Sequence, residues 1–87
     1  MFLIILSMRL SVHLFGIAKD LVGDKTLLIE VPANATVLEL KEKIQKLFPE
    51  FSDLNSLAIA RNSEYAIDTD VINNQDELAL IPPVSGG

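Results

Sequence analysis

One stretch of this sequence repeats its apolar residues at helical spacing, and that limits the fold more than any other feature. Val37, Leu40, Ile44, Leu47 and Phe48 form a single apolar stripe. Thr36 and Glu39 stand at capping-box spacing. The Thr hydroxyl can accept from the amide three residues on, and the Glu carboxylate can reach back to the cap amide. Glu39–Lys43 and Glu42–Lys46 are i,i+4 pairs of the favoured orientation on the outer face. Pro49 disfavours helical geometry at the residue before it, so the helix is predicted to run from Thr36 to about Phe48. A helix with one apolar stripe must bury it against another layer. The rest of the chain offers mainly strands for that layer.

Residues 9–15 alternate, with Leu10, Val12 and Leu14 against Ser11, His13 and Phe15, which reads as a half-buried strand ended by Gly16. Residues 17–22 hold Ile17, Leu21 and Val22 and suggest one helical turn before the Gly23-Asp24 turn. Residues 26–31 form a second strand, close enough in sequence to pair with the first as an antiparallel hairpin. Beyond the helix, Leu57, Ile59 and Arg61 alternate with Ala58 and Ala60. An Asn62-Ser63 turn and a very short strand at residues 65–67 follow. A polar loop, residues 68–76, is predicted to be pinned by Val71 and Ile72. In the last strand Leu78 and Leu80 alternate with Ala79 and Ile81. This order predicts an α+β fold: a mixed sheet with one main helix across one face and the first and last strands parallel at its centre.

The chain's 87 residues make one domain, and a domain of that size needs an efficient core. With 49% hydrophobic residues but only four Phe and one Tyr, that core is predicted to be aliphatic. There is no cysteine, which excludes disulfides, thiolate metal sites and a thiol nucleophile. A net charge of −5 with seven basic residues argues against nucleic acid and against a membrane surface. Residues 1–7 are apolar, but they lack the basic start and small-residue cleavage site of a signal peptide. They are also far shorter than the roughly 20 residues that span a bilayer. Two readings of them stay open, a strand-like extension at an edge and a start upstream of a natural Met8. The domain proper is taken as residues 8–81, and a cytoplasmic location is expected.

Ordinary catalytic constellations are missing from the sequence. His13 is the single histidine and reads as a sheet-surface residue, so a two-histidine metal site is excluded. Asp68, Asp70, Asp76 and Glu77 lack calcium-loop spacing and read as turn formers. The unusual feature is the end, Pro82-Pro83-Val84-Ser85-Gly86-Gly87. The prolines block further sheet or helix and favour an extended chain. Extended, residues 82–87 reach about 20 Å. Gly86 and Gly87 allow the backbone through a slot too narrow for a side chain. The carboxylate of Gly87 is then the candidate working group. It is a poor electrophile until adenylated with ATP, after which sulfide can displace AMP to leave a thiocarboxylate. An ordinary frayed terminus is the bland alternative.

The ending from Glu77 to Gly87, preceded by Asp76, resembles the C-terminus of the molybdopterin synthase small-subunit family. So do Ala18-Lys19-Asp20-Leu21-Val22-Gly23 after the first strand and the turn Asn62-Ser63-Glu64-Tyr65. The resemblance runs from Met8 to Gly87. It implies a ubiquitin-like β-grasp and a Gly87 carboxylate adenylated by a ubiquitin-activating-like adenylyltransferase that uses ATP. It further implies a thiocarboxylate carried into the active site of a large subunit, within a heterotetramer, where sulfur passes to cyclic pyranopterin monophosphate. Catalysis is expected on the large subunit, and neither cofactor nor metal on this chain. Pro82, Pro83, Val84, Ser85 and Gly86 would thread the channel, and Phe15, Lys19, Leu80 and Ile81 would form the partner interface. Two departures stand out: Leu80 and Ile81 replace aromatics common before the two prolines, and Lys19 stands where Arg is common. Three other readings stay open. They are a carrier for the thiamine thiazole or for tRNA thiolation, a ubiquitin-like modifier of protein lysines, and a binding domain with an inert tail.

Overall fold

The computed structural model describes residues 6–51 and 57–81. Strand β1, Ser7–Leu14, pairs antiparallel with β2, Thr26–Pro32, in a register that sets Leu10 opposite Ile29 and Val12 opposite Leu27. Strand β5, Leu78–Ile81, lies parallel to β1 on its other side, with Val12 opposite Leu78 and Leu14 opposite Leu80. Strand β3, Ala58–Arg61, pairs antiparallel with β5, and the two-residue β4, Glu64–Tyr65, closes the order β2-β1-β5-β3-β4. First and last strands are adjacent and parallel, as predicted, and the whole is the ubiquitin-like β-grasp. The alternation in β1 follows the sequence pattern: Leu10, Val12 and Leu14 are buried, while Arg9, Ser11 and His13 are exposed. The ladder begins earlier than expected. Ser7 pairs with Pro32, and the Ala33 amide donates to the Leu6 carbonyl at 3.1 Å. Ser7 therefore belongs to the sheet and not to the extension. At Leu6 and Ser7 this agrees with the strand-like reading of residues 1–7.

Helix α1, Gly16–Val22, is longer than the single turn expected. Gly16, at φ 56, redirects the chain after β1, and Gly23, at φ 86, ends the helix by donating its amide to the Lys19 carbonyl at 2.9 Å. Ala18 is its fully buried residue, and Ile17 stays exposed.

Helix α2, Val37–Leu47, opens with the predicted capping box. The Glu39 amide donates to Thr36 Oγ1 at 3.2 Å, and the Thr36 amide donates to Glu39 Oε1 at 3.0 Å. Glu39, expected to pair with Lys43, thus turns its carboxylate onto the cap. The helix ends where Pro49 requires, the Phe48 amide donating to Ile44 O at 2.8 Å. Its buried face is Val37, Leu40, Ile44 and Lys41. Leu47 is half exposed, so the stripe is narrower at its C-terminal end than the spacing suggested. Lys41 reaches across the core edge, its ammonium 2.7 Å from Asp68 Oδ1 and 3.3 Å from the Leu57 carbonyl. The core is aliphatic apart from Phe51, which meets Phe48 edge to face at 6.4 Å between ring centroids.

The loop from Ala66 to Glu77 is held by polar contacts. Arg61 donates through Nη1 to the Val71 carbonyl at 2.8 Å and lies 3.8 Å from Asp70 and 4.0 Å from Asp76. The loop caps α2 in return: the Val37 amide donates to Asp70 O and the Leu38 amide to Asp68 O. Ile72 is buried, but Val71 is exposed and contributes a backbone bridge to Thr36. The expectation that both side chains pin this loop is therefore corrected, since successive residues of an extended segment point opposite ways. Asn62 and Ser63, at φ 53 and 72, join β3 to β4 in a two-residue turn. Asn62 also ties this turn to the approach to β5, giving a hydrogen bond to Asp76 at 3.1 Å and receiving one from the Glu77 amide at 2.9 Å.

Candidate functional site

The tail residues Pro82, Pro83, Val84, Ser85, Gly86 and Gly87 lie outside the described residues. The structure fixes the point from which they depart. Strand β5 is flanked by a strand on each side, so Ile81 is anchored by the ladder that pairs it with Ala58. Parallel pairing sets Leu80 beside Leu14, and one residue further along come Ile81 and the exposed Phe15. These two, from separate ends of the sequence, each follow the last pair of the β1–β5 ladder.

Of the four residues expected at the partner interface, Phe15, Lys19 and Ile81 are accessible and Leu80 is not. Leu80 sits on the core face at 0% exposure, because alternation along β5 turns Leu78 and Leu80 under α2 and turns Ala79 and Ile81 outward. Leu80 is therefore a core residue, and its inclusion in the contact surface is corrected. Lys19 is in the last turn of α1, where its ammonium complements the negative end of the helix.

Around Ile81 the sheet's open face is built from small residues. Ala79 lies beside His13 on β1 and opposite Ala60 on β3, which in turn faces the exposed Tyr65 on β4. The alanines leave a shallow depression of about 320 Å³ bordered by His13, Phe15, Ser63 and Glu77. A second one, about 350 Å³, lies on the other side of His13 and Phe15, against Lys25 and Thr26. Both are open basins that suit a broad contact with another protein better than enclosure of a small molecule. His13 is on this surface, as its place in the alternation predicted. Among the described residues no cluster of three His, Cys, Asp or Glu could hold a metal. Asp70 and Asp76 accept from the backbone amides of Ile67 and Asn73, so these two serve turns, as read from the sequence, whereas Asp68 pairs with Lys41.

Sequence reasoning missed Tyr65 and the alanine floor as parts of one surface. The alternation put Ala58, Ala60 and Ala79 on their faces, but only the strand order β1-β5-β3-β4 brings those faces together. Among the described residues no helix is long and apolar enough to cross a membrane.

Residues 12–87 match the ThiS family. The chain is 36% identical to the molybdopterin synthase sulfur carrier subunit of Dictyostelium discoideum, over 94% of this chain and 100% of that protein. It is 34% identical to the Arabidopsis thaliana protein of the same name, over 93% and 85%, and 31% identical to that of Homo sapiens, over 91% and 94%. Among solved structures, a putative molybdopterin converting factor subunit 1 from Pyrococcus furiosus superposes with a TM-score of 0.76 at 27% identity, covering 88% of this chain and 99% of that one. SAMP1 from Haloferax volcanii superposes with a TM-score of 0.72 at 29% identity, covering 93% and 99%.

Proposed function

We propose that this chain, which belongs to the ThiS family, is the sulfur carrier subunit of a molybdopterin synthase and works through the carboxylate of Gly87. The observation that carries this reading is that the family match runs to the last residue, beyond a strand held on both sides at the sheet centre. Relatives bearing that subunit name match nearly the whole chain.

The mechanism follows from the chemistry of the terminus. The Gly87 carboxylate attacks the α-phosphorus of ATP on a ubiquitin-activating-like adenylyltransferase, forming a C–O–P bond and releasing pyrophosphate. A sulfide equivalent from a sulfurtransferase displaces AMP at the carbonyl carbon, leaving a thiocarboxylate. The tail carries that sulfur into the large subunit's active site, where cyclic pyranopterin monophosphate receives it as a new C–S bond, the bond from sulfur to the glycyl carbonyl breaks, and water restores the Gly87 carboxylate. This chain's residues contribute reach, fit and docking. Proline restricts the arm's backbone, glycine admits it to a narrow channel, and Phe15 and Ile81 form the apolar contact at its base. Two copies of each subunit make up the proposed heterotetramer.

The test is the mass of the protein isolated from its native cell and from cells lacking the adenylyltransferase. The expected difference is one oxygen replaced by one sulfur, located on the C-terminal peptide. An unmodified carboxylate in cells actively making the cofactor overturns the carrier reading.

A second reading draws on the likeness to SAMP1, described in a second structure as a small archaeal modifier protein. The same activated glycine would then acylate lysines of other proteins. Gly87 in isopeptide linkage, found by peptide mass spectrometry, would support that reading.

A further inference from the structure

The two edges of the sheet differ. Strand β4 is two residues long and offers little to a neighbour, whereas β2 runs for seven residues at the opposite edge. The direction of its backbone groups follows from two hydrogen bonds at the ends of the β1–β2 hairpin. The Leu14 amide donates to Lys25 O at 2.9 Å, and the Ala33 amide donates to Leu6 O at 3.1 Å. In an antiparallel ladder the directly bonded pairs alternate with unbonded ones. With the register that sets Leu10 opposite Ile29, the odd-numbered residues of β2 bond inward to β1. The amides and carbonyls of Thr26, Leu28 and Glu30 therefore point away from the sheet, and among the described residues they have no backbone partner. Leu28, at the middle of this row, is 66% exposed.

We propose that this edge pairs with the same edge of a second copy, as an antiparallel two-fold strand pair centred on Leu28. That register sets Leu28 against Leu28 and each Thr26 against the partner's Glu30. Every outward amide and carbonyl of the three residues then meets a complement, and two leucines cover each other on the open face. The charges select this register. Centring the pair on Glu30 would oppose two carboxylates, and centring it on Thr26 would set Leu28 against Asp24. Moving Leu28 opposite Glu30 brings Thr26 to Pro32, which has no amide to give. The contact is isologous and closes at two copies. It lies two strands, or about 10 Å, from β5, so Phe15, Ile81 and the tail stay available to other partners. One strand pair buries little area, so the dimer is weak. With −5 on each copy it gains from salt, which screens charges beyond about 10 Å at 0.1 M.

Sedimentation velocity of the full chain from micromolar to millimolar concentration should show reversible dimerisation that strengthens with added salt. Leu28→Lys places two ammonium groups at the two-fold axis and should weaken dimerisation at least 10-fold with little change in thermal unfolding. Amide hydrogen exchange read by NMR supplies the sharper test. Protection at Thr26, Leu28 and Glu30 should rise with protein concentration, while Leu27, Ile29 and Val31 stay protected throughout. A monomer at all concentrations overturns the proposal. So does a dimer in which the even-numbered amides of β2 gain no protection, which would place the contact elsewhere. A dimer unaffected by Leu28→Lys overturns it equally.

Discussion

At the scale of single residues, the proposed function makes the position of one carboxylate matter more than any side chain. Deleting Gly87 shortens the arm by about 3.3–3.6 Å, more than a reacting group tolerates. Gly86→Ala adds a methyl group where the partner channel is proposed to be narrow. Both variants should fold as wild type, because the tail lies beyond the last strand of the sheet. Both should fail in ATP–pyrophosphate exchange with the adenylyltransferase or in single-turnover sulfur transfer. A Gly87 deletion with wild-type rates would sink the carrier hypothesis. Ser63 tests the opposite kind of constraint. It occupies φ 72 in the β3–β4 turn, a left-handed conformation costing an L-residue roughly 1–2 kcal/mol. Ser63→Gly relieves it and loses part of the gain to a freer unfolded chain. The net expectation is stabilisation by about 0.5–1 kcal/mol, read as a higher urea midpoint at unchanged m-value.

At the scale of elements, the two helices were unequally legible. α2 declared itself through Thr36, Glu39, the stripe and Pro49, because each signal is local. α1 was legible only as one helical turn, because Ala18 alone is fully buried there and Ile17 faces solvent, so periodicity carries little. Lys41 was invisible for a different reason. It sits in a charged run with Glu39, Glu42 and Lys43, and its partners Asp68 and Leu57 are reached only through the fold. It links α2 to two loops while its side chain stays 10% exposed. Lys41→Ala removes the stem, the bond to Leu57 O and the ion pair, and should cost about 1–3 kcal/mol in urea denaturation. Lys41→Met keeps most of the buried hydrocarbon and should cost less than half of that. Equal losses would show that the charge, and not the packing, holds the helix. At the start of β1, a chain beginning at Met8 loses the Leu6–Ala33 bond and the Ser7–Pro32 pairing. It should unfold only about 0.5–1.5 kcal/mol sooner and transfer sulfur normally. Loss of folding would show that residues 1–7 are integral to the domain.

At the scale of the whole molecule, function is proposed to divide between a rigid head and an arm, with a contact surface at their junction. Phe15 follows directly after β1 and Ile81 ends β5, so residues far apart in sequence are proposed to share one patch. Phe15→Asp and Ile81→Asp should each weaken binding to the large subunit by at least about 10-fold in calorimetry, as expected for a central apolar contact. Their thermal unfolding should change little, since neither lies in the core cluster. Unchanged affinity in both would remove this surface from the docking site.

The parallel pairing of β1 with β5 has a mechanical consequence. Parallel strands run the same way, so the chain enters the sheet at one end of β1 and leaves it at the other end of β5. Traction on the arm, with β1 held at its start, loads the bonds between these strands in shear. Shear strains the whole ladder together, whereas pulling an edge strand sideways opens it one bond at a time. Atomic-force extension along this direction should give a high single rupture, and extension between β1 and β2 a low, stepwise one. If the tail is drawn into a partner's channel as proposed, the partner would pull along this direction and recover the chain folded.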